Sequence, residues 1–344
     1  MRAVVYAGPE RVEVRSVPDP RIEAPEDALV RVTLSAICGT DLHAWHGLDG
    51  IPAGTPLGHE FVGEVVAVGT AVQHLAPGDR VVGSDFAACG HCWWCRRGDH
   101  WECPQRCMFG MGSVFGPPLG GAQAELLRVP FAQTTLQRLP AGCSDEAAIF
   151  AGDTLASGVA AAERGGVVPG DVVAVIGGGA VGQMASLACQ SYGAAAVVVT
   201  DLIPARRQLI AANGGVPSAP EGARQLVDEL TDGRGADVVV EAVGGSGPLE
   251  TAFDLVRRRG RVVSVGAHFA AHWAMPVARA FADELSLCFA IGDSIRLGPR
   301  ILPLLTVGAI DPTGVISERV SLDGVPDAYR RLAEHTSVKI LIDP

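Results

Sequence analysis

The residues between Cys89 and Cys103 read CGHCWWCRRGDHWEC, four thiols in a C-x2-C-x2-C-x7-C pattern. Four thiolates suit a tetrahedral zinc ion, and the intervening residues then form a small lobe around it. An iron–sulfur cluster is the rival. The first two spacings and the Cys103-Pro104 step resemble a ferredoxin run, but the last gap is too long and its residues, RRGDHWE, are polar and charged. We therefore expect Cys89, Cys92, Cys95 and Cys103 to hold a structural zinc. A site closed by four protein thiolates keeps no position for substrate, so this is not the reacting centre.

A second set of chemistry-bearing residues lies upstream. CGTDLH supplies Cys38, Thr40 and His43, and LGHE supplies His59 and Glu60. Each alone means little, because histidine and cysteine are more often packed or solvated than ligating. A third group is GGGAVG, in which Gly177, Gly179 and Gly182 fit G-x-G-x-x-G. The first glycine permits a tight turn, the second lets backbone approach a pyrophosphate, and the third lets helix pack on strand. Ala180 and Val181 open the helix, whose N-terminal N–H groups face the phosphates. Asp201 follows about twenty residues on, where an acid binds the adenosine ribose hydroxyls. A carboxylate there repels a 2′-phosphate, which predicts NAD over NADP. The bland reading of Asp201 is a helix cap before LIPARR. Arg206 would bind the ribose beside Asp201, or equally accept a 2′-phosphate.

The elements that must position these groups fall into two styles. Up to about residue 150 the chain reads as valine-rich strands and Gly/Pro turns, an irregular, mostly β domain. From DVVAVIGGGAVG onward, short apolar strands alternate with helices. That is the pattern of a doubly wound α/β domain whose helices cover both faces of a parallel sheet. Helices are expected over Pro204–Ala212 and over PLETAFDLVRRRG, with strands at ADVVVEAVG and RVVSVG. The tail reads helix, strand, helix, strand and is expected to return to the first domain. Expected boundaries are 1–152, 153–292 and 293–344.

The chain has 344 residues and a formal net charge of −11, which disfavours a nucleic-acid or anionic-membrane partner. No uninterrupted apolar run is long enough for a bilayer, and the opening residues read as a strand pair rather than a leader. A cytoplasmic protein is expected. Nine cysteines are an odd number with a clustered subset, which favours metal over disulfides.

Taken in order, CGTDLH, GHEFVGEVVAVG, PGDRVV, the cysteine lobe, GGGAVG with Asp201, VVEAVG and VKILI resemble the zinc-dependent medium-chain alcohol dehydrogenase superfamily along essentially the whole chain. GPPLGGAQAELLRVP and AGDTLASGV look most like the bacterial branch near glutathione-independent formaldehyde dehydrogenases and secondary-alcohol dehydrogenases. The resemblance implies a GroES-like catalytic domain and a Rossmann cofactor domain. It also implies two zinc ions per chain, the catalytic one held by Cys38, His59 and Asp153, with Glu60 able to approach it. Three protein ligands leave one position open, as catalytic zinc requires. An alcohol would bind there and pass a hydride to NAD, giving an aldehyde or ketone. Thr40 would accept the substrate proton and hand it, through the nicotinamide ribose, to His43 and solvent. Gly244 and Gly266 would offer backbone to the cofactor and Lys339 would reach its pyrophosphate. Relatives associate through their cofactor domains, so a homo-oligomer is expected, a tetramer over a dimer. Trp93 and Trp94 are read as packing for the cysteine lobe. Competing readings are a polyol or amino-alcohol dehydrogenase, an aldehyde dismutase, a zinc-free reductase, and a non-enzymatic zinc-thiolate and NAD redox sensor.

Overall fold

The computed structural model describes residues 1–269 and 272–344. The chain forms two compact units. The first comprises Met1–Asp153, Asp293–Gly308 and Ile316–Pro344; the second comprises Thr154–Gly292 and Ala309–Val315. Asp153 therefore closes the first unit, and residues 309–315 belong to the second.

The first unit is built on a seven-stranded sheet. Its order is Ile316–Ser321, Lys339–Asp343, Ala28–Ile37, Phe61–Val68, Arg80–Gly83 and Leu136–Arg138, with Leu126–Val129 also pairing on Ala28–Ile37. The long strand alternates at first, with Val30 and Val32 buried and Arg31 and Thr33 turned outward. Beyond Leu34 every residue is buried, because Lys339–Asp343 pairs antiparallel on Ser35–Ile37. This pairing carries the C-terminal strand to the position where Cys38 begins the helix Gly39–Trp45. The register slips between Val32 and Leu34, opposite Gly63, where a Cβ would lie 2.3 Å from the Arg31 carbonyl oxygen.

The second unit is a six-stranded parallel sheet, in the order Val216–Ser218, Ala196–Thr200, Val172–Ile176, Ala236–Glu241, Val256–Ser264 and Ser286–Phe289. The crossover order is that of a doubly wound nucleotide-binding fold, with the first strand central. Val172–Ile176 is buried at every residue, as expected for a strand covered on both faces. One expectation fails. The helix predicted over PLETAFDLVRRRG ends at Leu255, and Val256–Ser264 is a single strand that includes the arginines. Val256 pairs with Ala236 and is buried in the core, and Arg257 Nε reaches Asp237 at 2.6 Å. Arg259 takes φ of +57°, so this stretch cannot continue a helix. Among the described residues no helix is long and apolar enough to cross a membrane.

Candidate metal centres and dinucleotide turn

Cys38 sits at the N-terminus of the helix Gly39–Trp45, which also carries Thr40, Asp41 and His43. His59 and Glu60 lead into the strand Phe61–Val68, and Asp153 follows the turn Ile149–Gly152. These segments bring three ligand types together. Cys38 Sγ lies 3.3 Å from Asp153 Oδ2, and His59 Nε2 lies 3.3 Å from the same oxygen. His59 is fully buried, and its Nε2 has no hydrogen-bond partner. A buried ring nitrogen left unpaired beside a thiol and a carboxylate is the donor set that a zinc ion fits.

The electrostatics agree. Burial, reinforced by the charges of Asp153 and Glu60, pushes the Cys38 thiol up to about 11. Burial alone would lower the His59 pKa, but Asp41 and Asp153 outweigh it and hold the imidazole protonated well above its usual range. Burial raises the Asp153 carboxyl, yet His59, Lys339 and Cys38 more than offset it, and the net shift is downward. Without a cation the cluster thus keeps protons that a metal must displace, and such displacement accompanies binding at thiol and imidazole sites.

Thr40 Oγ1 is 3.8 Å from Cys38 Sγ, at the edge of this cluster. His43 is half-buried one turn further along, and burial, followed by the nearby His46, lowers its pKa. Glu60 is fully buried with its carboxylate on the Lys339 ammonium. Lys339 is the partner of that carboxylate. It is fully buried in the first unit, with Nζ on Glu60 and 5.8 Å from the Phe150 ring centre, a carboxylate partner that the sequence reading did not foresee. The sequence reading also missed Asp41, whose Oδ1 is 3.2 Å from His59 Nδ1. Its signal was available inside CGTDLH, because ligating histidines usually carry a carboxylate on their other nitrogen.

The four lobe cysteines converge so that all their sulfurs lie within 4.8 Å of one another. Cys89 and Cys95 sulfurs are 4.0 Å apart, close to the roughly 3.8 Å edge of a tetrahedron with zinc–sulfur bonds of about 2.3 Å. Backbone N–H groups of Cys89 and Gln105 point at Cys103 Sγ, and that of Cys95 at Cys92 Sγ; the last helps bring the Cys92 thiol down to about 7, whereas burial outweighs the others and keeps the Cys103 thiol up. All nine cysteines are free. The lobe is tied down by His100, whose N–H and ring meet the carboxylate of Asp293, the N-cap of Ser294–Thr306. Trp101 packs the lobe, edge-on to Phe86. Trp93 and Trp94 lie on its surface, 61% and 40% exposed, where they meet edge to face and Arg97 lies over the Trp93 ring at 4.7 Å.

In the second unit, Gly177 takes φ of +94° and Gly179 caps the helix Ala180–Ser191. A Cβ at Gly182 would lie 1.7 Å from the Gly177 carbonyl oxygen, so the helix can seat on the strand only through glycine there. Ala180 and Val181 lie in the first helical turn, where N–H groups have no intrahelical acceptor. Asp201 is buried and accepts from Gly178 N and Ile203 N, each at 2.8 Å. The Arg206 guanidinium is 3.6 Å from its Oδ2. Gly244 and Gly266 meet backbone to backbone, but their N–H groups are committed to Glu241, to its Oε1 from Gly244 and to its carbonyl from Gly266. Only their carbonyls remain to offer a ligand. Glu241 is fully buried and also accepts from Val243 N and Ser264 Oγ, so it organises both strand-end loops. The sequence reading missed it.

Comparison with known proteins follows this geometry. Residues 24–141 match the alcohol dehydrogenase GroES-like domain, and residues 180–304 match the zinc-binding dehydrogenase domain. A probable zinc-binding alcohol dehydrogenase of Mycobacterium tuberculosis is 37% identical over 330 residues, covering 96% of this chain and 84% of that one. The solved alcohol dehydrogenase TADH from Thermus sp. ATN1 superposes with a TM-score of 0.96 at 41% identity, covering 100% of this chain and 99% of that one. A putative zinc-binding dehydrogenase from Sinorhizobium meliloti, solved bound to NADP, has a TM-score of 0.87 at 28% identity and covers 100% and 99%. The chain belongs to the zinc-dependent medium-chain alcohol dehydrogenase superfamily.

Proposed function

We propose that this zinc-binding oxidoreductase oxidises a primary or secondary alcohol to an aldehyde or ketone, with NAD as hydride acceptor. The observation that carries the reading is the cluster of Cys38, His59 and Asp153, three ligand types converging with one tetrahedral position left over. When bound there, zinc supplies Lewis-acid polarisation of the alcohol oxygen, and the nicotinamide supplies the electron sink. The chain's own residues do the rest. Thr40, beside Cys38, takes the hydroxyl proton from the substrate. His43 delivers it to solvent, and its lowered pKa keeps the ring neutral, and so able to accept, at pH 7. The glycine turn and the first residues of Ala180–Ser191 hold the pyrophosphate, and Asp201 holds the adenosine ribose. Cys89, Cys92, Cys95 and Cys103 hold a second, structural zinc.

NAD is favoured because a 2′-phosphate would meet the Asp201 carboxylate. Arg206 partly neutralises that charge, which makes NADP the control. The test follows cofactor reduction by absorbance across primary alcohols, secondary alcohols and polyols, with NADP in parallel. Turnover with NAD that is lost in Cys38→Ser supports the reading. NADP preference would overturn the role given to Asp201. Absence of turnover by any alcohol, in protein carrying two zinc ions per chain, would favour the redox-sensing alternative.

A further inference from the structure

Behind His59 runs a chain of buried polar groups that the proposed chemistry does not itself use. Asp41 presents Oδ1 to His59 Nδ1 at 3.2 Å, outside hydrogen-bond geometry but close enough for the imidazole to be turned onto it. Its other oxygen, Oδ2, accepts from Cys38 N at 2.9 Å and from Gln123 Nε2 at 3.4 Å. Gln123 Nε2 also donates to the Ala36 carbonyl at 3.2 Å, and Gln123 Oε1 accepts from the Tyr329 hydroxyl at 3.0 Å. All four side chains are buried.

The direction of this chain is fixed by chemistry. The Ala36 carbonyl can only accept, so the amide nitrogen of Gln123 must face it. The second amide N–H then has Asp41 before it, and the amide oxygen is left for the tyrosine. Tyr329 is held as a phenol by burial and by the charge of Asp41, so it donates. Its ring stacks on Trp45 at 5.4 Å, at the end of the helix that carries Cys38, Thr40 and Asp41. The backbone around Gln123 is equally constrained. Ala122 N and Gln123 N pair with the carbonyls of Gly58 and Leu57, just before His59. Gly58 has no Cβ, which here would fall 2.4 Å from Gln123 Cγ. The amide thus occupies a space made for it.

We propose that Gln123 and Tyr329 are positioning residues for the catalytic metal. They fix the Asp41 carboxylate, which holds His59 as the Nδ1–H tautomer and leaves the Nε2 lone pair for the ion. The inference rests on the proposed zinc site. It assigns a metal-affinity role to residues one and two hydrogen bonds beyond the Asp41 carboxylate, where partners of ligating histidines are worth 10–100-fold in affinity when directly bonded.

The test uses the full chain reconstituted with cobalt, whose ligand-field spectrum separates a four-thiolate site from a mixed thiolate, imidazole and carboxylate site. Gln123→Met keeps length and removes both polar ends; Tyr329→Phe keeps the stack on Trp45 and removes only the hydroxyl. We expect Gln123→Met to weaken cobalt at the mixed site about tenfold in chelator competition and to shift its bands, with a smaller effect for Tyr329→Phe. The four-cysteine bands should stay as in wild type. In an Asp41→Asn background the Gln123→Met effect should largely vanish, because the two act through one carboxylate. Wild-type affinity and spectrum in both folded variants would overturn the proposal, as would full additivity with Asp41→Asn or equal weakening of the cysteine site. If wild type takes cobalt only at the four cysteines, the functional reading falls together with this one, and that result is distinct from two metals bound normally in every variant.

Discussion

Replacing Lys339 by methionine keeps the chain length of the side chain and removes its charge. The cluster around it holds the Cys38 thiol and the Asp153 and Glu60 carboxyls. Fully ionised, these carry three negative charges; a divalent metal cancels two, and the Lys339 ammonium cancels the third. Without the ammonium one charge stays buried and uncompensated, because Glu60 and Lys339 are both fully buried. Removing one partner of a buried pair costs about 3–5 kcal/mol. The Phe150 ring contributes little, since 5.8 Å is near the limit for cation–π attraction. At about 2–4 °C per kcal/mol, the zinc-loaded variant should melt on the order of 10 °C lower. Adding Glu60→Gln should recover most of that loss, because the double variant leaves no unpaired charge. The assay is thermal unfolding by circular dichroism at pH 7, with the KM for NAD measured alongside. An unchanged melting temperature together with a tenfold rise in that KM would refute the ion-pair argument and return Lys339 to the pyrophosphate.

Gly182→Ala should weaken NAD binding about 100-fold in a fluorescence titration while leaving metal content intact, because its Cβ would force the helix off the Gly177 carbonyl by an ångström or so. Cys103→Ser should lose one metal ion per chain and melt at lower temperature, since binding energy at a structural site is folding energy; metal analysis that still finds two ions, with unchanged melting, would remove the structural role. His43→Gln should lower kcat roughly 100-fold. In wild type the acid limb of kcat should lie below the ordinary imidazole range, because the relay needs neutral His43 and is lost as pH falls through its lowered pKa. His46→Gln removes a neighbouring charge and should move that limb upward; a limb unmoved in both variants would place His43 outside the path.

The doubly wound sheet was legible because its central strands are short, apolar and bounded by turn residues, as in Val172–Ile176 before Gly177. The error at PLETAFDLVRRRG has a specific cause. Arg257, Arg258 and Arg259 read as a helix end, where basic residues favour the dipole. In the fold Val256 is needed by the core and Arg257 by Asp237, so the strand begins five residues early. A tertiary partner outweighed local preference.

The site divides along the same line. Cys38 and His59, which the fold brings together with Asp153, meant little in their motifs alone; the order of several motifs along the chain, and the resemblance it carries, singled them out together with Thr40. Asp41 stood inside CGTDLH and was passed over, although its carboxylate reaches His59 Nδ1 only once the chain has folded. Gln123 and Tyr329 gave no local signal at all. A glutamine after GGA and a tyrosine on an amphipathic helix are ordinary until the chain brings Ala36, Asp41 and Gly58 around them. Lys339 is the instructive case. A lysine near the C-terminus can meet a carboxylate or a phosphate with equal ease, and sequence cannot distinguish the two. Burial narrows the choice: an ammonium at the start of the C-terminal strand, fully buried against Glu60, cannot leave that carboxylate without stranding a buried charge, so any further ligand would have to share it with Glu60.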